Sequence, residues 1–420
     1  IQSFHPIPYV AVGAAIIGVM ILAGHPELIY YTLLVAGAYA VVRLLIAWRN
    51  LVGQGAGGKG LGAGGKEQGA RGREQGEFRT PHSAFRILKL AAWLLVMVVL
   101  GVALGGVQLL PLIELLPLNF RQGSASYQDV VGWAWPSRHV LTFFLPDVFG
   151  NPSQHSWFDI WNRQWLPATV NARGEPNDTI FWGVKNYVEG GNYVGIVTWL
   201  LAGVAVLSLI GKGRGASALH SHVERGNEQG QPPLVTRHST IYFFAALALI
   251  SLLFAFGTPL YALLFYGLPG WKQLHSPFRW VYPFTLSMAL LGGIGLQALF
   301  EIGNWRLEIK KRQINLQSLL AGLCALAGLG ALALVAASLV APQRFIQLGQ
   351  RLVNGSDLAQ NAFADGRMFW SYEALNLAKF GLFALLGGVL VWWMGRGSWE
   401  KGARGKGLGA GGKGVLAAGI

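Results

Sequence analysis

The sequence predicts an all-α integral membrane protein, a polytopic helical bundle of about eight transmembrane helices with one long tryptophan-rich loop outside the membrane. The chain has 420 residues, of which 53% are hydrophobic and only 12% are charged, whereas a soluble globular chain is about 25% charged. Several uncharged runs are about 20 residues long, which lets a helix cross a hydrocarbon layer of roughly 30 Å. The runs lack the alternation of apolar and polar residues that barrel strands show, so helices are expected.

The apolar runs are the candidate spans. They cover residues 8–24, 28–48, 86–116, 192–211, 240–257, 280–301, 317–341 and 372–394. Lys and Arg are concentrated in four of the intervening or flanking segments, which are 49–89, 211–239, 303–316 and the C-terminal tail. Because short basic loops stay in the cytoplasm, alternating spans place all four on the cytoplasmic side of the plasma membrane. The opposite face then receives the turn 24–27 and the loops 117–191, 258–279 and 342–371.

This pattern gives the predicted organisation of the chain. Its parts are two spans with an outer turn (1–48), a disordered basic insert (49–85), two spans with the large outer loop 117–191 (86–211), a basic cytoplasmic loop (212–239), four spans (240–395) and a low-complexity basic tail (396–420). The first residue is Ile1 rather than Met, and no signal peptide precedes the first span, so we expect a fragment that lacks its N-terminal part.

The net charge of +14 does not indicate nucleic-acid binding, because the basic residues lie between apolar runs and no basic helix is interleaved with aromatic residues. The sequence GKGLGAGGK occurs at both 58–66 and 405–413 and is typical of disordered segments. It matches part of a Walker A loop, but Glu67 or Gly414 stands where a Ser or Thr should follow. The single cysteine, Cys324, excludes an internal disulfide and a cysteine-based metal site. The cofactor, and the use of a metal, stay open.

The stretch from Gln108 to Glu189 contains the main candidate site. Gln108 and Glu114 lie near the outer end of the third span, where an ionisable group in an apolar helix is costly and by default functional. Alternatively, the Glu114 carboxylate extends to the interface or pairs with Arg121 or Arg138.

The following loop is rich in tryptophans and acids. The tryptophans are Trp133, Trp135, Trp157, Trp161, Trp165 and Trp182. They either form a membrane-interface belt or stack on sugar rings and lipid head groups. The acids, which include Asp147 and Glu189, could supply a base or a ligand, but no pair stands out. Residues 139–150 are expected to form an amphipathic interfacial helix that ends at Pro146.

Two short outer segments complete the candidate site. In the turn 24–27, His25 is a candidate ligand or catalytic group, although turn geometry alone accounts for its neighbours Pro26 and Glu27. Before the sixth span, His275 and Arg279 are candidates for a phosphate site, because a guanidinium group binds phosphate in a bidentate manner. Arg279 could equally be an interfacial anchor.

Five segments together carry a resemblance to a known family. They read GHPELIYYTLL, QLLPLIELLP, TFFLPDVFGNP, FWG followed by VEGGNYVG, and LPGWKQLHSPFRW followed by GGIGL. In this order they resemble the bacterial YfhO-like family of polytopic membrane proteins over most of residues 20–300. Residues 310–420 match that family only in being hydrophobic.

The YfhO-like family is similar to the C-type glycosyltransferases, which use polyprenyl-phosphate sugars on the outer face of the membrane. The resemblance implies a polyprenyl-phosphate-linked sugar as donor, an envelope glycan or lipid as acceptor, and an acidic catalytic base. That base usually lies in the first outer loop, which would precede Ile1, so it is assigned to no residue of this sequence. The family often has two arginines before the sixth span, whereas His275 stands at the first position here and only Arg279 remains.

The resulting hypothesis is a glycosyl-transferring membrane protein embedded in the bilayer. Its expected substrate-binding residues are Glu114, Arg279, His25, Glu189, Gln108, Asp147 and His275. A transporter or flippase is the alternative and predicts repeated halves with Gly- or Pro-broken spans; no repeat is evident, but Pro111 fits a broken span. A truncated, non-catalytic membrane remnant is the third possibility.

Overall fold

A computed structural model describes residues 5–56, 80–115, 118, 125–209, 237–273, 277–302, 306–309 and 312–394. The chain forms two compact units, residues 1–125 and 126–420. The repeats at 58–66 and 405–413 and the predicted basic tail 396–420 lie outside the described residues, as does the predicted basic insert 49–85 apart from its two ends.

The described part of the chain is mostly helical. The helices are α1 (Ile7–Leu22), α2 (Pro26–Ala56), α3 (Thr80–Leu104), α4 (Gly106–Leu115), α5 (Tyr127–Gly132), α6 (Tyr187–Gly190), α7 (Ile196–Leu207), α8 (Arg237–Ala255), α9 (Ala262–Gly267), α10 (Val281–Ile302), α11 (Leu316–Val340), α12 (Pro342–Asn354), α13 (Asp357–Ala362) and α14 (Gly366–Met394). Short strands are β1 (Gly150–Asn151), β2 (Ser156–Asp159), β3 (Gln164–Pro167), β4 (Ile180–Phe181), β5 (Arg306–Ile309) and β6 (Arg312–Asn315). They pair as antiparallel ladders β1–β4, β2–β3 and β5–β6.

Among the described residues, six helices are long and apolar enough to cross a membrane. Their apolar segments are Glu27–Arg49, Ile87–Leu104, Arg237–Ala255, Pro277–Leu299, Gln317–Val340 and Gly366–Met394. These correspond to six of the predicted spans. The chain is therefore a multi-pass helical membrane protein. The other two predicted spans, 8–24 and 192–211, contain the shorter apolar helices α1, of 16 residues, and α7, of 12 residues.

The predicted third span, 86–116, is divided into α3 and α4 at Gly105. In the first unit α1 packs against α3, and a methyl group at Gly105 would lie only 2.6 Å from Cβ of Ile21. One turn earlier, Gly101 meets Ile17 in the same way, also at 2.6 Å. Small residues let two membrane helices approach this closely through van der Waals contact. The glycines that allow this contact therefore stand at the break between α3 and α4 and one turn before it.

In the second unit, the segment 126–195 folds against the first turns of α14. One apolar core includes Trp157 and Ile180 of this segment and Met368 and Phe369 of α14, together with Phe363 just before α14. At 29 residues, α14 is longer than the roughly 20 needed to span a bilayer. The first turns of α14 therefore pack in the same core as the segment 126–195.

The predicted interfacial helix over 139–150 is wrong. A 3₁₀ helix covers Ser137–Phe143, and its His139, Thr142 and Phe143 side chains are buried. Phe143 stacks on Trp135 with ring centroids 5.2 Å apart and on Phe284 of α10 at the same distance. Phe143, Val148 and Phe149 face the protein interior, whereas Leu141 and Phe144 are exposed. The segment is therefore anchored in the core by part of its apolar residues and is not one continuous helix.

Candidate functional site

An open cleft of about 580 Å³ lies in the second unit between the end of α5 and the beginning of α6. Its lining residues are Gly132, Ala134, Trp135, Pro136, Val184, Lys185, Asn186 and Glu189. One wall is an aromatic and proline segment, and the other carries the amide of Asn186 with the charges of Lys185 and Glu189. This combination offers an apolar face and polar groups to one ligand.

Three hydrogen bonds hold the two walls of the cleft together. The indole Nε1 of Trp135 donates to the carbonyl oxygen of Gly190 at 3.0 Å, and Nδ1 of His139 lies 2.8 Å from the same oxygen. The backbone N–H of Val184 donates to Nε2 of His139 at 3.3 Å. A neutral ring with its proton on Nδ1 satisfies both contacts. Burial lowers the pKa of His139, and the nearby charges of Arg138 and Lys185 lower it further, against the effect of the Gly190 hydrogen bond.

Lys185 is the cation of the cleft. Its Nζ stands 4.9 Å from the ring centroid of Phe278, and the guanidinium carbon of Arg279 lies 5.6 Å from the same centroid. Burial lowers the pKa of Lys185, while the Glu189 carboxylate opposes that shift. Two cations therefore share one aromatic ring beside the cleft, an arrangement that suits a partly apolar ligand with negative charge.

Glu189 faces the cleft from the short helix α6. Its backbone N–H donates to Oδ1 of Asn186 at 2.8 Å, which fixes the turn that carries both side chains. Because Lys185 and Glu189 lie four residues apart on the same turn, the cleft presents a cation and a carboxylate side by side.

A second polar cluster surrounds Asp147. Its Oδ1 accepts a hydrogen bond from the Tyr187 hydroxyl at 3.0 Å. Burial, and then the negative charge of Asp147, raise the pKa of Tyr187, so the phenol stays protonated and donates. The Nδ2 of Asn376 in α14 reaches the main-chain oxygen of Asp147 at 3.1 Å and Oε2 of Glu373 at 3.3 Å. Asp147 is thus bound to α14 and is absent from the cleft lining.

Glu373 is a buried carboxylate that the sequence interpretation overlooked. It is 9% exposed, and its Oε1 has no hydrogen-bond partner among the residues that the structure describes. One helical position before it, the Tyr372 hydroxyl donates to Oε1 of Gln154 at 2.6 Å. A charged residue in a predicted span was the available signal for Glu373. No comparable signal marked Lys185, because a single lysine in a polar loop is common and does not by itself indicate a binding site.

The predicted site residues divide between the two units. His25, Gln108 and Glu114 lie in the first unit, and all three are exposed. Gln108 lies beside the turn that carries His25, since its Nε2 would be 3.9 Å from a methyl group at Gly24. Nδ1 of His25 accepts a weak hydrogen bond from the N–H of Leu28 at 3.4 Å.

The remaining predicted residues belong to the second unit. Glu189 lines the cleft, and Asp147 is held in the separate polar cluster. Arg279 does not line the cleft, but it lies against the ring of Phe278, which Lys185 of the cleft also contacts. His275 and Arg121 are outside the described residues. Arg138, considered as a partner for Glu114, donates to the carbonyl oxygen of Trp182 at 2.7 Å.

Most tryptophans of the predicted loop are structural. Trp135 and Trp157 are buried, and Nε1 of Trp182 donates to the carbonyl oxygen of Val148 at 3.0 Å. Trp165 differs, with 65% of its surface exposed. Only Trp135 among the six lines the described cleft, so tryptophan density in this segment mainly reflects a folded core.

Within the described ranges, no three His, Cys, Asp or Glu side chains come together in a group that could hold a metal ion. No protein-family model, curated protein or solved structure matches the chain.

Proposed function

We propose that the chain binds the head group of a polyprenyl-phosphate-linked sugar in the cleft between Trp135 and Lys185, and that it transfers this sugar to an envelope glycan or lipid. The observation that carries the proposal is the position of Lys185. It lines the cleft, stands over the ring of Phe278, and shares that ring with Arg279.

A phosphate diester fits this part of the cleft for electrostatic reasons. Lys185 supplies a partly desolvated point charge, and Arg279 supplies a guanidinium group that remains charged at every working pH. Phe278 is buried beside the two cations, and the apolar side chains of Ala134, Pro136 and Val184 in the cleft lining give the first prenyl carbons of the lipid a surface on which to pack. A free inorganic anion would gain only the charge contacts.

The sugar would occupy the wall formed by Trp135, Asn186 and Glu189. The Asn186 amide can donate hydrogen bonds to sugar hydroxyls and accept them, and the Glu189 carboxylate can accept them. The indole of Trp135 is 1% exposed, so it supports this wall from beneath and does not stack on the sugar. In the transfer step, the acceptor hydroxyl oxygen forms a bond to the anomeric carbon while the bond from that carbon to the phosphate oxygen breaks. The electron pair leaves with the lipid phosphate, and the hydroxyl proton passes to a base.

The distribution of charge supports an outward-facing cleft. Placing the basic segments 49–89, 211–239 and 303–316 in the cytoplasm puts residues 117–191 on the opposite face under the positive-inside rule. Lipid-linked sugars that build the envelope are consumed on that face. The proposed location is therefore the plasma membrane, with the C-terminal tail in the cytoplasm.

Binding by the full chain in lipid nanodiscs tests the proposal. A fluorescent polyprenyl-phosphate hexose with a short lipid chain should bind, and Lys185→Gln should weaken its binding about tenfold, since a charged hydrogen bond contributes about 1.5 to 3 kcal/mol. Lys272→Gln is the matched control, because Lys272 also stands over aromatic rings, at 5.8 Å from those of Phe265 and Tyr266, but does not line the cleft. Equal affinities for the wild type and both variants would refute the assignment.

A flippase is the second candidate, and the break between α3 and α4 favours it. Discontinuous helices often mark the binding sites of transporters, and α4 also contains Pro111. Incubation with a radiolabelled donor separates the two functions. Transfer gives a covalently labelled acceptor and free lipid phosphate, whereas flipping moves the intact donor between leaflets without changing it.

A further inference from the structure

Helix α12 begins where a membrane span ends. The apolar segment Gln317–Val340 belongs to α11, and a single residue, Ala341, separates it from Pro342 at the start of α12. Proline at the first position of a helix favours a new start. Because the chain cannot move far in one residue, the first turn of α12 lies at the level where α11 leaves the bilayer.

One side of α12 packs on the protein. Gly349 and Val353 are buried there, and the backbone at Gly349 approaches that of Gly366 at the start of α14 so closely that neither position has room for a side chain. On a helix with 3.6 residues per turn, Gln343 and Gln347 lie on another side, and both are exposed. The helix therefore has one packed and one polar face.

A third face of α12 is apolar but uncovered. Leu348 and Leu352 are 42% and 48% exposed, although they lie next to the packed face. Arg344 and Arg351 flank this pair on the same side of the helix, seven positions and therefore roughly 10 Å apart. Both arginines are exposed, and neither forms an ion pair with any residue in the described ranges.

We propose that α12 lies on the membrane surface, with Leu348 and Leu352 in the acyl-chain boundary and with Arg344 and Arg351 bound to the phosphates of anionic phospholipid head groups. An interfacial helix of this kind combines leucines that enter the boundary with long cations that extend to the head groups. The covalent link to α11 brings the helix to this depth. The segment Pro342–Asn354 carries two arginines and no acid, so its charge complements an anionic lipid.

Spin labelling tests the depth of the two faces. The sequence contains one cysteine, Cys324, which is buried, so it can be replaced by alanine before a new cysteine is introduced. In nanodiscs, labels at Leu348→Cys and Leu352→Cys should collide with oxygen, which is enriched in the bilayer. Labels at Gln343→Cys and Gln347→Cys should collide with a water-soluble nickel chelate. Equal exposure of all four labels to the chelate would overturn the proposal.

Lipid retention tests the arginines. After delipidation of the full chain, native mass spectrometry should show phosphatidylglycerol bound in preference to phosphatidylcholine, and Arg344→Gln and Arg351→Gln should each weaken retention by about fivefold. Arg163→Gln is the control, since Arg163 is an exposed arginine at the tip of the β2–β3 hairpin. If all variants retained phosphatidylglycerol like the wild type, the head-group assignment would be wrong, whatever the depth of the labels.

Discussion

Asn376 donates from its side-chain Nδ2 to the main-chain oxygen of Asp147 at 3.1 Å, and this contact joins α14 to the folded segment 126–195. The same nitrogen lies 3.3 Å from Oε2 of Glu373. One buried amide group therefore satisfies two acceptors that belong to different parts of the chain.

Replacing this amide should destabilise the second unit. Asn376→Leu leaves the Asp147 carbonyl and one oxygen of Glu373 without their donor, and we expect a loss of about 2 kcal/mol in the free energy of unfolding. Denaturant unfolding in mixed micelles measures it. Asn162→Leu is the control, because Asn162 is exposed on a hairpin turn. An equal loss in both variants would contradict a specific role for Asn376.

Replacing the Glu373 carboxyl with an amide should have the opposite effect. Its Oε1 is buried without a hydrogen-bond partner in the described part of the chain, so the carboxyl is buried either at the cost of desolvating its charge or in the protonated form. Glu373→Gln keeps an acceptor for Asn376, so we expect the free energy of unfolding to rise by about 1 kcal/mol. Glu175→Gln, at an exposed position, should leave it unchanged. A loss of stability in Glu373→Gln would mean that a partner compensates the carboxylate.

Two ion pairs of the second unit should contribute very differently. Asp159 is 1% exposed, and its Oδ2 lies 2.8 Å from Nη2 of Arg367, so Arg367→Gln leaves a buried carboxylate and should cost about 2 kcal/mol. Arg173 and Asp357 also approach to 3.0 Å, but both are exposed. Arg173→Gln should cost less than about 1 kcal/mol. Thermal unfolding of the two variants side by side measures the difference, and similar melting temperatures would refute this ranking.

His139 should make the protein acid-sensitive. Burial lowers its folded-state pKa below the unfolded value of about 6.5. Below that pH the unfolded chain takes up a proton that the folded chain does not, so stability falls as the pH drops from about 6.5 toward the folded pKa. Unfolding measured from pH 8 to pH 5 should show this decline. In His139→Asn the decline should be smaller, and an unchanged pH profile would exclude His139 as its cause.

Ligand binding in the cleft should fail at high pH. Burial lowers the pKa of Lys185, although Glu189 opposes the shift, so the ammonium group loses its proton at a lower pH than a free lysine. Affinity for a polyprenyl phosphate should decrease as the pH rises toward 10. In Lys185→Arg the guanidinium group remains charged, so binding should persist over the same range. Parallel pH curves for the two proteins would argue against contact between residue 185 and the phosphate.

Hydropathy was sufficient to predict six of the long membrane helices, because an uncharged run of this length has few other stable states. The break at Gly105 was not predictable in the same way. It depends on how closely α1 approaches, and Gly105 continues the apolar run without interruption.

The site was predicted less well than the spans for a similar reason. Both Asp147 and Glu189 were candidates, and in the sequence they look alike. Asp147 is separated from the cleft by partners such as Asn376, which is 229 residues away in the chain. Pairings over such distances depend on tertiary packing, which local sequence patterns do not encode.

The packing of the first turns of α14 against the segment 126–195 has a consequence for biosynthesis. When Asp147 is added to the growing chain, Asn376 is still 229 residues from being made, which at about 5 to 20 residues per second is a delay of roughly 10 to 50 s. During that interval, Ile180 and Trp157 lack the helix that covers them. The segment is then a natural client for a chaperone or the membrane insertase, and a chain that stops before residue 366 should be recognised as misfolded and degraded.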